Sequence, residues 1–186
     1  MAIKFAHGFK ARSERVACEV RAEHGLRNLD PIDCLAICES LLIPVVPIDN
    51  LVDFGAAESS IRCLLSQRSG FSAVTVCHGT AKVIAYNPSH PPGRQASSLA
   101  HELSHILLEH PVAPALGAGG CRNWDPRLEA EADWQAGALL VPREAALHWM
   151  QNDGCIDRGA RRYGVSVAMF RWRVQQTGVA KQLSLS

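Results

Sequence analysis

The chain is first narrowed by what it lacks. It has no CxxC pair, so neither a zinc knuckle nor a thioredoxin-like redox site is indicated. Its seven cysteines, Cys18, Cys34, Cys38, Cys63, Cys77, Cys121 and Cys155, are odd in number and scattered. They read as buried apolar thiols of a reducing cytosol rather than as a disulfide framework. No charge of one sign dominates: the formal net charge is +1, which gives no global pull toward nucleic acid or a membrane surface. No apolar run approaches the length of a membrane span. The opening MAIKFAHGFKARSER has neither an apolar h-region nor a small-residue cleavage site, so no signal peptide is expected. Internal repeats and low-complexity segments are also missing. The expectation is a soluble, cytoplasmic globular protein.

The 186 residues, 47% hydrophobic and 20% charged, suffice for one domain with its own core. We expect that domain to take in residues 1–186: helices and a small sheet over 1–140, and closing helices over 142–186. Phe9 to Glu23 reads as an amphipathic helix with Phe9, Val16, Ala17 and Val20 on one side and Gly25 as its stop. Asp30-Pro31 is the expected start of a second helix, burying Ile32, Leu35, Ala36, Cys38 and Leu41. Leu42 to Ile48 reads as a short strand whose two prolines place it at an edge. Phe71–Cys77 and Ala81–Tyr86 read as a hairpin through His78-Gly79-Thr80. A helix is expected over about Arg94 to His110, a Gly- and Pro-rich loop from Pro111, and another helix over Pro126 to Leu140. Helices, then a small sheet, then helices make an α+β order rather than a βαβ alternation.

The chemistry centres on His101-Glu102-Leu103-Ser104-His105, an HExxH. On a helix, residues four apart share a face, so two imidazoles can reach one ion. Glu102, beside the first of them, is placed to act as a general base on a water whose pKa the metal lowers. Leu99, Leu103, Ile106, Leu107 and Leu108 around the motif indicate a buried helix. Buried His and Glu side chains need polar partners, which a metal supplies. A third ligand must come from elsewhere. His110 lies one residue out of step with a His six residues beyond the second motif histidine, and reads as a helix-end histidine. The helix Arg127 to Leu140 is the better source. Its alanines allow close approach, and one of Glu129, Glu131 and Asp133 should face the metal; periodicity does not choose between Glu129 and Glu131.

Three stretches, Leu99 to Leu108, Glu131-Ala132-Asp133 and Ala136 to Pro142, resemble the ImmA/IrrE family of metallopeptidases. The N-terminal helix, the approach Tyr86-Asn87 to Arg94, and Ala160 to Ser166 extend the likeness more weakly. Gln135 departs from it, standing where an aromatic is usual. The resemblance implies a gluzincin-like α+β zincin fold, mostly helical, with a small antiparallel sheet beside the HExxH helix. It implies Zn2+ held by His101, His105 and Glu131, with Glu102 as the catalytic base. The His, His, Glu set favours zinc over manganese. The implied partner is a protein substrate, a helix-turn-helix repressor on a separate chain, whose cleavage would derepress genes of a mobile element or stress response.

A rival reading is a DNA-binding or metal-sensing regulator. Ala160 to Ser166 fits a helix-turn-helix pattern, and Arg158, Arg161, Arg162, Arg171 and Arg173 offer charge for phosphates. The plainer alternative is a helical hairpin packed on the core. Tyr86, Arg94, His148 and Tyr163 are candidates to stabilise a tetrahedral oxyanion, and the sequence does not select among them.

Overall fold

The structure is a computed structural model that describes residues 5–59, 61–62, 71–78, 81–111 and 125–183. Most of the expected Gly- and Pro-rich loop, the Gly79-Thr80 turn, and Cys63 and Cys121 lie outside the described residues. In chain order the elements are α1 (Phe9–Glu23), α2 (Cys34–Ser40), β1 (Val45–Pro47), a 3₁₀ helix (Ile48–Phe54), β2 (Ala73–His78) and β3 (Ala81–Tyr86). There follow α3 (Pro92–Leu107), α4 (Pro126–Leu140), α5 (Arg143–Asn152), α6 (Ile156–Arg162), α7 (Val167–Gln176) and α8 (Val179–Leu183). Among the described residues no helix is long and apolar enough to cross a membrane.

The sheet has the order β1-β3-β2. The hairpin is antiparallel as expected, but β1 runs parallel to β3, so the sheet is mixed rather than purely antiparallel. β2 lies between the two in sequence and runs antiparallel to β3, so β3 returns in the direction of β1. The proline-bearing strand lies at an edge, where its missing N–H groups cost no ladder bond. Side chains alternate faces along a strand. Val74, Val83 and Ala85 therefore join one small core with Ile48 and Leu51. Ile84 points the other way, into the main helical core, and Thr75, its register partner, shares that face. This alternation sets Thr75 against α3.

α2 begins later than expected. Asp33, not Asp30, is its N-cap, accepting from the Leu35 N–H. The Asp30 carboxylate is instead bonded to Arg27, which, with the backbone N–H of the same residue, holds it down to about 2. The buried face turns accordingly: Cys34, Ile37 and Cys38 are inside, while Leu35 and Leu41 are exposed. Burial pushes the Cys34 and Cys38 thiols up to about 12, as expected for inert apolar thiols.

Candidate metal centre

α3 starts with proline in its first turn, where a missing N–H is harmless, and ends at Leu107. Its inward face buries Leu99, Ala100, Leu103 and Ser104. α4 is capped by Asp125, whose side chain accepts from the Arg127 and Leu128 N–H groups. Small residues line α4 from Ala130 to Ala138 and let it lie close against α3. The two helices bring one acidic face onto the HExxH motif.

His101 Nε2 and His105 Nε2 face each other at 3.1 Å. Glu129 Oε2 lies 3.2 Å from His101 Nε2, and Glu129 Oε1 lies 3.7 Å from His105 Nε2. Donors on a tetrahedral zinc with bonds of about 2.0–2.1 Å are separated by roughly 3.3–3.4 Å. The observed spacings bracket that value, and two imidazoles with one carboxylate are a zinc-type donor set. His101, His105 and Glu129 form the one such group of potential ligands among the described residues, all within 4.8 Å of one another.

The expected third ligand, Glu131, is not brought to this point. Its Oε2 lies 3.4 Å from His110 Nε2 and its Oε1 3.9 Å from Arg127 Nε. The reason is helical phase. At about 100° per residue, two positions along α4 turn a side chain well away from the face that Glu129 presents. Asp133, four residues beyond Glu129, returns to that face. Its Oδ1 lies 2.9 Å from His101 Nδ1, fixing the ring so that Nε2 points at Glu129. Burial disfavours charge on His101, but the Asp133 and Glu129 carboxylates outweigh it and lift the imidazole to about 9. Burial and the adjacent His105 hold His110 below the usual histidine range.

Glu102 is 2% exposed. The Thr75 N–H and Oγ1–H both donate to its Oε2, at 2.8 and 2.7 Å. An open groove beside the centre is lined by Ser72, Ala73, His101, Glu102, Asp133 and Met169, among others. Arg94 reaches its rim, donating to Ser72 Oγ at 2.9 Å. The other oxyanion candidates lie elsewhere. Tyr86 borders a separate apolar cavity, Tyr163 is buried against Phe170, and His148 is held beside Asn152.

The arginines offered for DNA contact divide. Arg173 is fully buried and bonded to Glu14 at 2.6 Å, which removes it from any nucleic-acid face. Arg158 pairs with Asp153, and Arg161, Arg162 and Arg171 are exposed. Sequence reasoning named Glu129 and Asp133 among the acidic residues of α4 without assigning them, and it missed Thr75 as a partner in the centre. The four-residue spacing of Glu129 and Asp133 was the signal for the first two. Nothing local marks Thr75, because strand register places it.

The family model of the IrrE N-terminal-like domain matches residues 53–175. A solved structure described as a Mycobacterium tuberculosis transcriptional regulator is similar over 89% of this chain, at 22% identity and a TM-score of 0.53. That likeness is one of fold, and the chain spans only 46% of the regulator's length. No curated protein matches the chain. Because the family match takes in both the HExxH helix and the acidic helix beside it, the chain belongs to the ImmA/IrrE family and has its metallopeptidase-type domain in an α+β, zincin-like fold.

Proposed function

We propose that the protein is a zinc-dependent endopeptidase in which His101, His105 and Glu129 hold the metal and Glu102 moves the proton. The observation that carries this reading is the set of spacings among the two Nε2 atoms and the Glu129 carboxylate, 3.1, 3.2 and 3.7 Å. Glu129 takes the place that the resemblance gave to Glu131. When bound, zinc supplies Lewis acidity, polarising the scissile carbonyl and lowering the pKa of water. Asp133 orients His101 through Nδ1. Thr75, with two donors on one carboxylate oxygen, fixes the direction from which Glu102 works. Glu102 accepts a proton from the attacking water and returns it to the leaving amine. The groove beside the centre receives the substrate chain, and Arg94 at its rim is the oxyanion candidate nearest to it.

The substrate we favour is a helix-turn-helix repressor on another chain. Two considerations support it: the ImmA/IrrE family membership and the likeness of fold to part of a protein described as a transcriptional regulator. Direct DNA binding is the weaker alternative, because Arg173 belongs to the core.

Metal content and proteolysis of the purified protein test the reading. Wild type should hold about one zinc per chain, Glu129→Ala should hold little, and Glu131→Gln should keep it. Glu102→Gln should retain metal and fold while cleavage of a partner repressor falls by at least about a hundredfold. Wild-type cleavage by Glu102→Gln, or full zinc content in Glu129→Ala, would refute the assignment.

A further inference from the structure

The two imidazoles of the centre are held differently behind their Nε2 atoms. His101 Nδ1 meets a carboxylate directly, and that carboxylate, Asp133, is 66% exposed. His105 Nδ1 meets instead another imidazole: His110 Nδ1 lies 3.0 Å away, with the rings in an edge-on arrangement at 71°. His110 is 7% exposed, and its far nitrogen faces Glu131 Oε2 at 3.4 Å.

The backbone is shaped to make this contact. Beyond α3, Leu108 is the C-cap, and Glu109 turns left-handed at φ 55°. The His110 N–H then bonds the His105 carbonyl at 2.9 Å, and the Glu109 N–H bonds the Ile106 carbonyl at 3.1 Å. This is a Schellman closure, which normally prefers glycine at the left-handed position. Here a non-glycine residue bears an unfavourable conformation, and the outcome is His110 folded back on His105. The fold thus spends strain on placing one histidine behind another.

We propose that His110 and Glu131 form a positioning relay that fixes the tautomer and orientation of His105, so that its Nε2 lone pair is presented to the metal. The inference rests on the metal-centre reading above. Two nitrogens in contact cannot both donate or both accept. With Nε2 of His105 serving as ligand, its proton resides on Nδ1 and is donated to His110 Nδ1. The proton of His110 is then on Nε2, where the Glu131 carboxylate accepts it. Each assignment forces the next, and the chain ends on a buried negative charge that favours the donor character of every member. His110 is therefore not a spare ligand: both its nitrogens are committed away from the point shared by His101, His105 and Glu129. Glu131, out of phase for the metal, has a role through His110.

Zinc affinity, measured by competition with a chromophoric chelator, and ¹⁵N-edited NMR of the imidazole protons in the zinc-loaded protein test the relay. In wild type, a slowly exchanging proton is expected on Nδ1 of His105 and another on Nε2 of His110. His110→Ala should weaken zinc binding by about 10–100-fold and abolish the slow exchange of the His105 proton. His110→Gln, whose amide oxygen can accept from Nδ1–H, should restore most of both, which a merely space-filling role would not predict. Glu131→Ala should weaken binding by about tenfold and release the His110 proton to exchange. Wild-type affinity in His110→Ala, no recovery in His110→Gln, or a protonated Nε2 on zinc-loaded His105 would overturn the relay while leaving the metal centre standing. A wild type that takes up no zinc would overturn both.

Discussion

At the scale of single residues, the centre is a set of lone pairs directed by what stands behind them. His101 illustrates the consequence for pH. Without metal its imidazole is lifted to about 9, above the ordinary 6.5, because the favourable Asp133 and Glu129 contacts exceed the burial penalty. A group whose folded pKa is raised contributes stability that is fully present below its unfolded pKa and is lost as pH rises through the folded value. The metal-free protein should therefore lose melting temperature between about pH 6.5 and pH 9. Zinc must displace this proton, so binding near pH 7.5 should release about one proton per chain. Calorimetry in buffers of different ionisation enthalpy reads that number directly, and no buffer dependence would contradict a charged resting His101. The motif histidines and Glu102 were legible in the sequence because HExxH is contiguous. The third position was legible only in part. Its helix and its acidic residues could be read, but periodicity left Glu129 and Glu131 open and the resemblance implied Glu131, whereas in the structure Glu129 and Asp133, which share a face by their spacing, are the ones that meet His101. Thr75 was illegible, since only strand register brings it to Glu102.

At the scale of elements, the decisive relation is how closely others approach α4. The alanine-rich composition of this helix already pointed to tight packing, and the structure shows how tight at Gly137. A Cβ there would lie 2.6 Å from Arg173 Cδ and 2.6 Å from Trp172 Cζ3, both on α7. Arg173 is bonded to Glu14 and the Val141 carbonyl, so it has little freedom to move aside. Gly137→Ala should cost about 1–3 kcal/mol despite alanine's better helix propensity, seen as a lower urea midpoint with an unchanged slope. A midpoint at or above wild type would mean that α7 yields more readily than its bonds suggest. α2 shows the opposite limit of the sequence. Asp30-Pro31 and Asp33 both look like helix starts, and a local ion pair decided between them: Asp30 is taken by Arg27, three residues before it. Its apolar face then rotated, exposing Leu35 and burying Ile37.

At the scale of the whole molecule, α1 and α7 meet at the C-terminus of α4. Arg21 of α1 donates to the carbonyls of Leu139 at 2.7 Å and Asp30 at 2.6 Å. Arg173 of α7 donates to the Val141 carbonyl at 2.9 Å. Glu14 joins them, accepting from Arg173 and from the Arg143 N–H that opens α5. Both guanidiniums are fully buried, and burial lowers the pKa of each. They lie where the last carbonyls of a helix need donors and where its dipole favours positive charge. In the sequence these arginines look like solvated charges on amphipathic helices, or like phosphate contacts, because nothing local distinguishes a buried arginine from an exposed one. The helix that presents Glu129 and Asp133 at one end is thus clamped at the other by segments more than a hundred residues apart. Arg21→Met keeps the volume and removes the donors, leaving buried carbonyls without partners. It should cost about 3 kcal/mol, lowering the melting temperature by roughly 10 °C for a chain of this size. Because α4 would lose its anchor while keeping its acidic residues, zinc affinity should weaken as well, which separates this clamp from an ordinary core contact. A variant that melts within about 2 °C of wild type and binds zinc equally well would show that apolar packing alone fixes α4.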